Sequence, residues 1–168
     1  MSFFPQEDYK LPVSSNYMKF QEGDNNFRVL SGAVIGWEYW NTQNKPVRVK
    51  DKPEEIPEDI KTEKDGNVKI NHFWAFAVYN YEAQKIQILE LTQKGIMKTI
   101  HGLVKNPKWG DPKGYDITVT RVGTGLDTEY GVVPNPHTPL AGETKEQYEK
   151  LNIDLEKLFS GEDPFGKK

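Results

Sequence analysis

Apolar and polar positions change period along this chain in a way that separates strands from helices. The run NFRVLSGAVIGWEYW, from Asn26 to Trp40, is dense in β-branched and aromatic side chains and predicts a long strand, with Gly32 and Gly36 as bulge or bend points. A turn and a short strand, KPVRVK, follow, and the prolines and acids after Lys52 mark an exposed loop. His72 to Tyr81 (HFWAFAVYNY) carries the strongest strand signal. A short turn and KIQILELT complete a hairpin with it.

The period then lengthens. In Gln93–Asn106, Ile96, Ile100, Leu103 and Val104 fall on one face of an amphipathic helix, which Pro107 stops. Tyr115–Gly123 alternates as a half-buried strand, and Glu129–Pro134 is a last short one. A Pro/Gly connector over 135–142 leads to a helix over Glu143–Phe159, and Gly161–Lys168 reads as frayed. The order predicts a mainly β protein with minor α content. An oligonucleotide-binding (OB) fold fits it: a five-stranded Greek-key barrel with one helix between its third and fourth strands, here followed by a C-terminal helix and tail. A split α+β sandwich yields the same string. The division is an irregular arm over 1–15, the barrel over 16–140, and a C-terminal helix with an acidic, partly flexible tail over 141–168.

Strand alternation sorts the aromatic residues into two faces. Trp74, Phe76, Val78 and Asn80 share one side of the hairpin strand; Phe73, Ala75, Ala77, Tyr79 and Tyr81 share the other. The first is bulky, as a core requires. The second has rings separated by alanines, which leaves room for a nucleobase, so Phe73, Tyr79 and Tyr81 are the candidate stacking set. Burial of both faces explains the pattern equally well. In the first strand the more exposed set contains Arg28 and Trp40, although a glycine bulge would exchange Trp40 for Trp37.

Charge changes this picture locally. The net charge is −3, which argues mildly against a polyanionic partner. Residues 1–140 hold 17 Lys and Arg against 18 Asp and Glu, and 141–168 hold 5 against 7. Yet Lys45, Arg48, Lys50 and Lys52 crowd one segment, where they would neutralise phosphates. A solvated strand edge guarded by lysines is the plainer account. Lys69 and Arg121, next to or on predicted strands, complete the candidate cations. Lys105, Lys108, Trp109 and Lys113 form a weaker basic group.

Signals for catalysis are poor. Cysteine is absent, and His72, His101 and His137 lie far apart without metal-ligand spacing. No phosphate-binding glycine loop or nucleophile elbow occurs. A protein that is not an enzyme and needs no cofactor is expected. The start MSFFPQEDYK lacks a charged region followed by an apolar core, and no apolar run approaches the ~18 residues that span a bilayer. The expectation is a cytoplasmic protein without membrane contact.

Several blocks carry a resemblance: YMKFQEGDNNFRVLSGAVIGWEYW, KPVR, HFWAFAVYN, IHGLVKN, GDPKGYDITVTR and TEYGVVPNPHTPL. Over about residues 16–140 the chain resembles the single-stranded DNA-binding proteins of tailed phages and prophages, of the OB-fold type. The resemblance implies coating of single-stranded DNA with little sequence preference, in replication or recombination, within the bacterial host cytoplasm. It also implies replication or recombination partners met through the acidic tail. Here GEDPF is similar to such a tail, but Gly166, Lys167 and Lys168 follow Phe165. The alternative is a protein-interaction or phage structural module on a small barrel. Oligomeric state is not legible.

Overall fold

A computed structural model describes residues 3, 5 and 15–166; the expected arm over 1–15 falls almost wholly outside them. Seven antiparallel strands form one sheet: β1 (Gly23–Val29), β2 (Val34–Trp40), β3 (Pro46–Val49), β4 (Asn71–Asn80), β5 (Lys85–Leu91), β6 (Tyr115–Val122) and β7 (Glu129–His137). Two helices accompany them, α1 (Lys94–Lys105) and α2 (Gly142–Leu151). The fold is mainly β, as the alternation predicted.

The long first strand is bent into two. At the corner, Leu30 N–H donates to the Ala77 carbonyl at 2.8 Å and Ser31 Oγ accepts from Ala77 N–H at 2.8 Å. The corner lets one edge of β4 carry both halves: Val29 lies opposite Val78, and Val34 opposite Ala75. The other edge of β4 pairs with β5 along seven residues, from Trp74–Leu91 to Asn80–Lys85. On the far side, β6 pairs with β1, and β7 with β6. With β1 and β2 counted as one bent strand and β3 as an addition to its edge, α1 falls between the third and fourth strands. That connectivity is OB-like.

The sheet nevertheless stays open. Closing it into a barrel needs a β5–β7 ladder, and none forms among the described residues. Residues 16–20 lie in the gap instead. Met18 N–H donates to the Ile88 carbonyl, and Ile88 N–H to that of Asn16, at 2.9 and 2.8 Å. Phe20 reaches the other side, its ring 5.9 Å from that of Tyr130 and its carbonyl accepting from Arg121 at 2.9 Å. Met18 and Phe20 are buried in the main core with Phe27, Phe76, Leu89, Ile117 and Val119. Helix α1 seals that core with Ile96, Met97 and Ile100.

The C-terminal segment differs from expectation in two ways. The helix expected over 143–159 ends at Leu151, where Asn152 adopts the left-handed conformation (φ 49°); asparagine does so more readily than most residues. A 3₁₀ turn over 155–159 follows. Residues 161–166, expected to fray, are docked: Asp154 N–H donates to the Pro164 carbonyl at 2.8 Å, and Phe165, like Ile153, Leu155 and Phe159, packs against the buried cluster of Phe73, Ala75, Ile88 and Leu158. These apolar side chains have a sheet face to cover, and removing them from water outweighs the order they require.

Candidate functional site

The two faces of β4 separate as alternation predicted. Phe76 and Val78 point inward to the main core with Trp74, and Phe73, Ala75 and Ala77 point outward. The outward face is not open, however, which corrects the expected exposure of its rings. Phe73, Ala75 and Ala77 are fully buried beneath the C-terminal segment. The Phe159 ring lies 6.0 Å from that of Phe73, and Gly36 makes the approach possible. A Cβ there would meet the Val49 carbonyl oxygen at 2.5 Å and Phe159 at 2.8 Å. Tyr79 is half-buried and packs, as do Tyr148, Leu151 and Ile153, against Leu30, Ala77 and Ile86. Tyr81 is 38% exposed, and its hydroxyl donates to Asp116 at 2.8 Å. Burial and that hydrogen bond push its phenol up to about 12.

Several expected cations are occupied by acids. Arg28 is 1% exposed, so it is withdrawn from any surface; it pairs with Asp116 at 2.8 Å and donates to Thr138 at 2.7 Å. Arg48 is held between Glu90 at 2.7 Å and Glu38 at 3.2 Å. Burial opposes the Arg48 charge, but the two carboxylates outweigh it and raise its pKa. Burial, and then a hydrogen bond to Glu90, push the Glu38 carboxyl up to about 8. Lys50 pairs with Glu156 of the C-terminal segment at 2.7 Å and also lies over the Phe159 ring. Lys69 pairs with Glu63 at 3.4 Å, and Arg121 is tied to the Phe20 carbonyl. Lys45 is exposed beyond the end of β2, and Trp40, 49% exposed, lines a cleft with Arg48, Tyr17, Lys19 and Tyr130. Apart from Trp40 and the acid-paired Arg48, the expected set therefore does not converge on one groove.

A different set does converge. Beyond the core, the inward faces of β2 and β4 continue past α1 and form two adjoining hollows that share Trp74 and His101. One is lined by Trp37, His72 and Trp74 together with Lys52, Lys94 and Lys98. The Trp37 and His72 rings lie 4.7 Å apart, on directly paired residues of β2 and β4. Lys52 Nζ sits 5.1 Å from the centre of the Trp37 ring. Among the described residues, no carboxylate pairs with Lys52, Lys94 or Lys98, unlike Arg28, Arg48 and Lys50.

Helix α1 presents its cations against its own interest. Lys94 opens the helix, no acid occupies the first turn, and Gln93 makes no side-chain cap. The macrodipole already makes that end positive, and a favourable charge there would be an acid, worth roughly 0.3–1 kcal/mol. Lys94, Lys98 and His101 recur at i, i+4 and i+7, along one flank. The result is a cationic wall facing three rings. Such a groove can hold an anionic backbone while stacking flat groups.

His72, Trp74, Lys94, Lys98 and His101 were outside the expected site, and Trp37 entered it only as the alternative to Trp40. The lysine spacing on a helix with no acid in its first turn was readable. That Trp74 would emerge from the core was not, since its neighbours Phe76 and Val78 on the same face are buried.

Comparison with known proteins adds one relative. Over 138 residues the chain is 25% identical to a protein of Escherichia phage T5 described as "Probable ssDNA-binding protein", covering 69% of this chain and 53% of that protein. The chain thus spans about half the length of this relative. No family model matches, and neither does any solved structure.

Proposed function

We propose that this chain binds single-stranded DNA without catalysis and coats it with little sequence preference, using an OB-type scaffold, in phage replication or recombination. The observation that carries the reading is the convergence, in one groove, of Trp37, His72 and Trp74 with Lys52, Lys94 and Lys98, which have no acid partner among the described residues. Rings stack on any base at about 1–3 kcal/mol each, and lysines neutralise phosphates regardless of sequence, so this chemistry discriminates strandedness rather than sequence. The description of the T5 protein supports the same reading. The docked C-terminal segment, with Glu162 and Asp163 at its end, is the proposed meeting point for replication or recombination proteins.

A titration of intrinsic Trp fluorescence tests the proposal. Oligo(dT) is expected to quench it, with affinity falling steeply as salt rises, while duplex of equal length binds far more weakly. Equal affinity for both forms would sink the reading. One observation favours a protein-interaction module instead: the β6–β7 hairpin exposes Val122, Leu126 and Val133. Self-association or partner capture without any strand binding would support that alternative.

A further inference from the structure

The second hollow of the groove differs in chemistry from the first. It has a volume of about 280 Å³, and its walls are apolar: Val29, Ala33, Ile35, Phe76, Ile100 and Val104. Ile35 and Val104 are 55% and 45% exposed, so the lining is reached from solvent. Polar groups stand among its lining residues at His101, Asp111 and Lys113. Asp111 is fixed in place, because its carboxylate accepts the Lys113 backbone N–H at 2.9 Å and pairs with Lys113 Nζ at 3.6 Å. Trp74 forms a wall common to this hollow and the cationic one, with His101 at the junction.

We propose that this hollow is a pocket for one unstacked nucleobase of the bound strand, an inference that rests on the single-strand reading above. An apolar site open to water needs an occupant that repays its exposure, and continuity with the cationic hollow selects which. A nucleotide joins a flat, weakly polar heterocycle to an anion within one sugar's reach. It can therefore fill the apolar walls while its phosphate meets Lys94 or Lys98 next door. Asp111 and Lys113 pair with each other at the border, so the apolar walls make the contact with the base and the pocket takes a base without dictating which. The small side chains at the β1–β2 corner, Gly32 and Ala33, leave the entrance wide. Both are exposed.

Ala33→Leu narrows that entrance from a position outside the core. The experiment measures affinity for a thymidine oligomer and for an abasic oligomer of equal length and equal charge, in wild type and variant. Wild type is expected to prefer the base-bearing strand. In Ala33→Leu that preference should shrink about tenfold, the worth of one stacked base, with little change toward the abasic strand. Val104→Trp, which fills the hollow from α1, should reproduce the effect, and thermal unfolding of both proteins should remain close to wild type. A preference unchanged in both variants overturns the pocket, and so does an equal loss for both oligomers. Wild type that binds neither oligomer overturns the single-strand reading itself, so the two failures are distinguishable.

Discussion

The outward and inward faces of β4 carry similar side chains and meet different fates. Outward lie Phe73, Tyr79 and, at the strand's end, Tyr81, with Arg48 and Lys50 on neighbouring β3 and just past it; inward lie His72 and Trp74, with Lys94 and Lys98 across the groove. Each face thus has rings beside cations. On the outward face the rings are covered by Leu151, Ile153, Leu158 and Phe159, and Glu90 and Glu156 hold the cations. On the inward face the rings border an open groove, and its lysines lack acid partners among the described residues. Composition alone does not make a binding surface; what else in the chain claims those groups decides it.

The comparison breaks most visibly at Phe73. Phe73→Ala empties a fully buried site under the C-terminal segment, and it should cost about 3–5 kcal/mol of stability. The protein that remains folded should keep its strand affinity. Calorimetry alongside a binding titration checks this; a variant that stays as stable as wild type but loses binding would reassign the ligand to the outward face.

Next in size is the acid pair on that outward side. The Glu38 carboxyl, near 4.5 when free, is raised to about 8 in the folded protein. The folded state therefore holds a proton that the unfolded state releases between those values. Its contribution is fully present below about pH 4.5 and is lost as pH rises through about 8, each unit being worth about 1.4 kcal/mol. Unfolding midpoints should accordingly fall from pH 5 to pH 8, and Glu38→Gln should flatten the decline. A decline of equal slope in Glu38→Gln would show that other groups cause it.

Much of this architecture was legible in the sequence. The strands, the α1 helix with Ile96 and Ile100 inward, and the partition of β4 into two faces all follow from periodicity, because side-chain spacing alone fixes them. Which face was open did not follow, since it depends on a segment more than eighty residues away from Phe73 and Ala75. Leu158 and Phe159 stand at the end of the helix expected over 143–159, and nothing local reports that Gly36 admits the Phe159 ring. Arg28 failed for a related reason: its partner Asp116 is distant in sequence, so a buried ion pair looked like a free cation. The open β5–β7 gap was likewise invisible, because it depends on where residues 16–20 lie.

A smaller effect sharpens the inward side. Trp37→Ala removes the ring that meets His72 and Lys52, and it should weaken oligo(dT) binding by about 1–3 kcal/mol. Tyr79→Ala, half-buried on the other face, should weaken it far less. Reversed rankings would return the stacking role to the outward rings.

The central claim is that the inward groove, and not the outward face, meets the phosphates of the strand. The slope of log K against log salt for oligo(dT) tests it most directly, because each phosphate left without its cation lowers the slope by about 0.7. The double variant Lys94→Gln/Lys98→Gln should lower it by about 1.4 on the same basis, while Lys50→Gln, already paired with Glu156, should leave it unchanged. An unchanged slope in the double variant together with a reduced slope in Lys50→Gln would contradict the account.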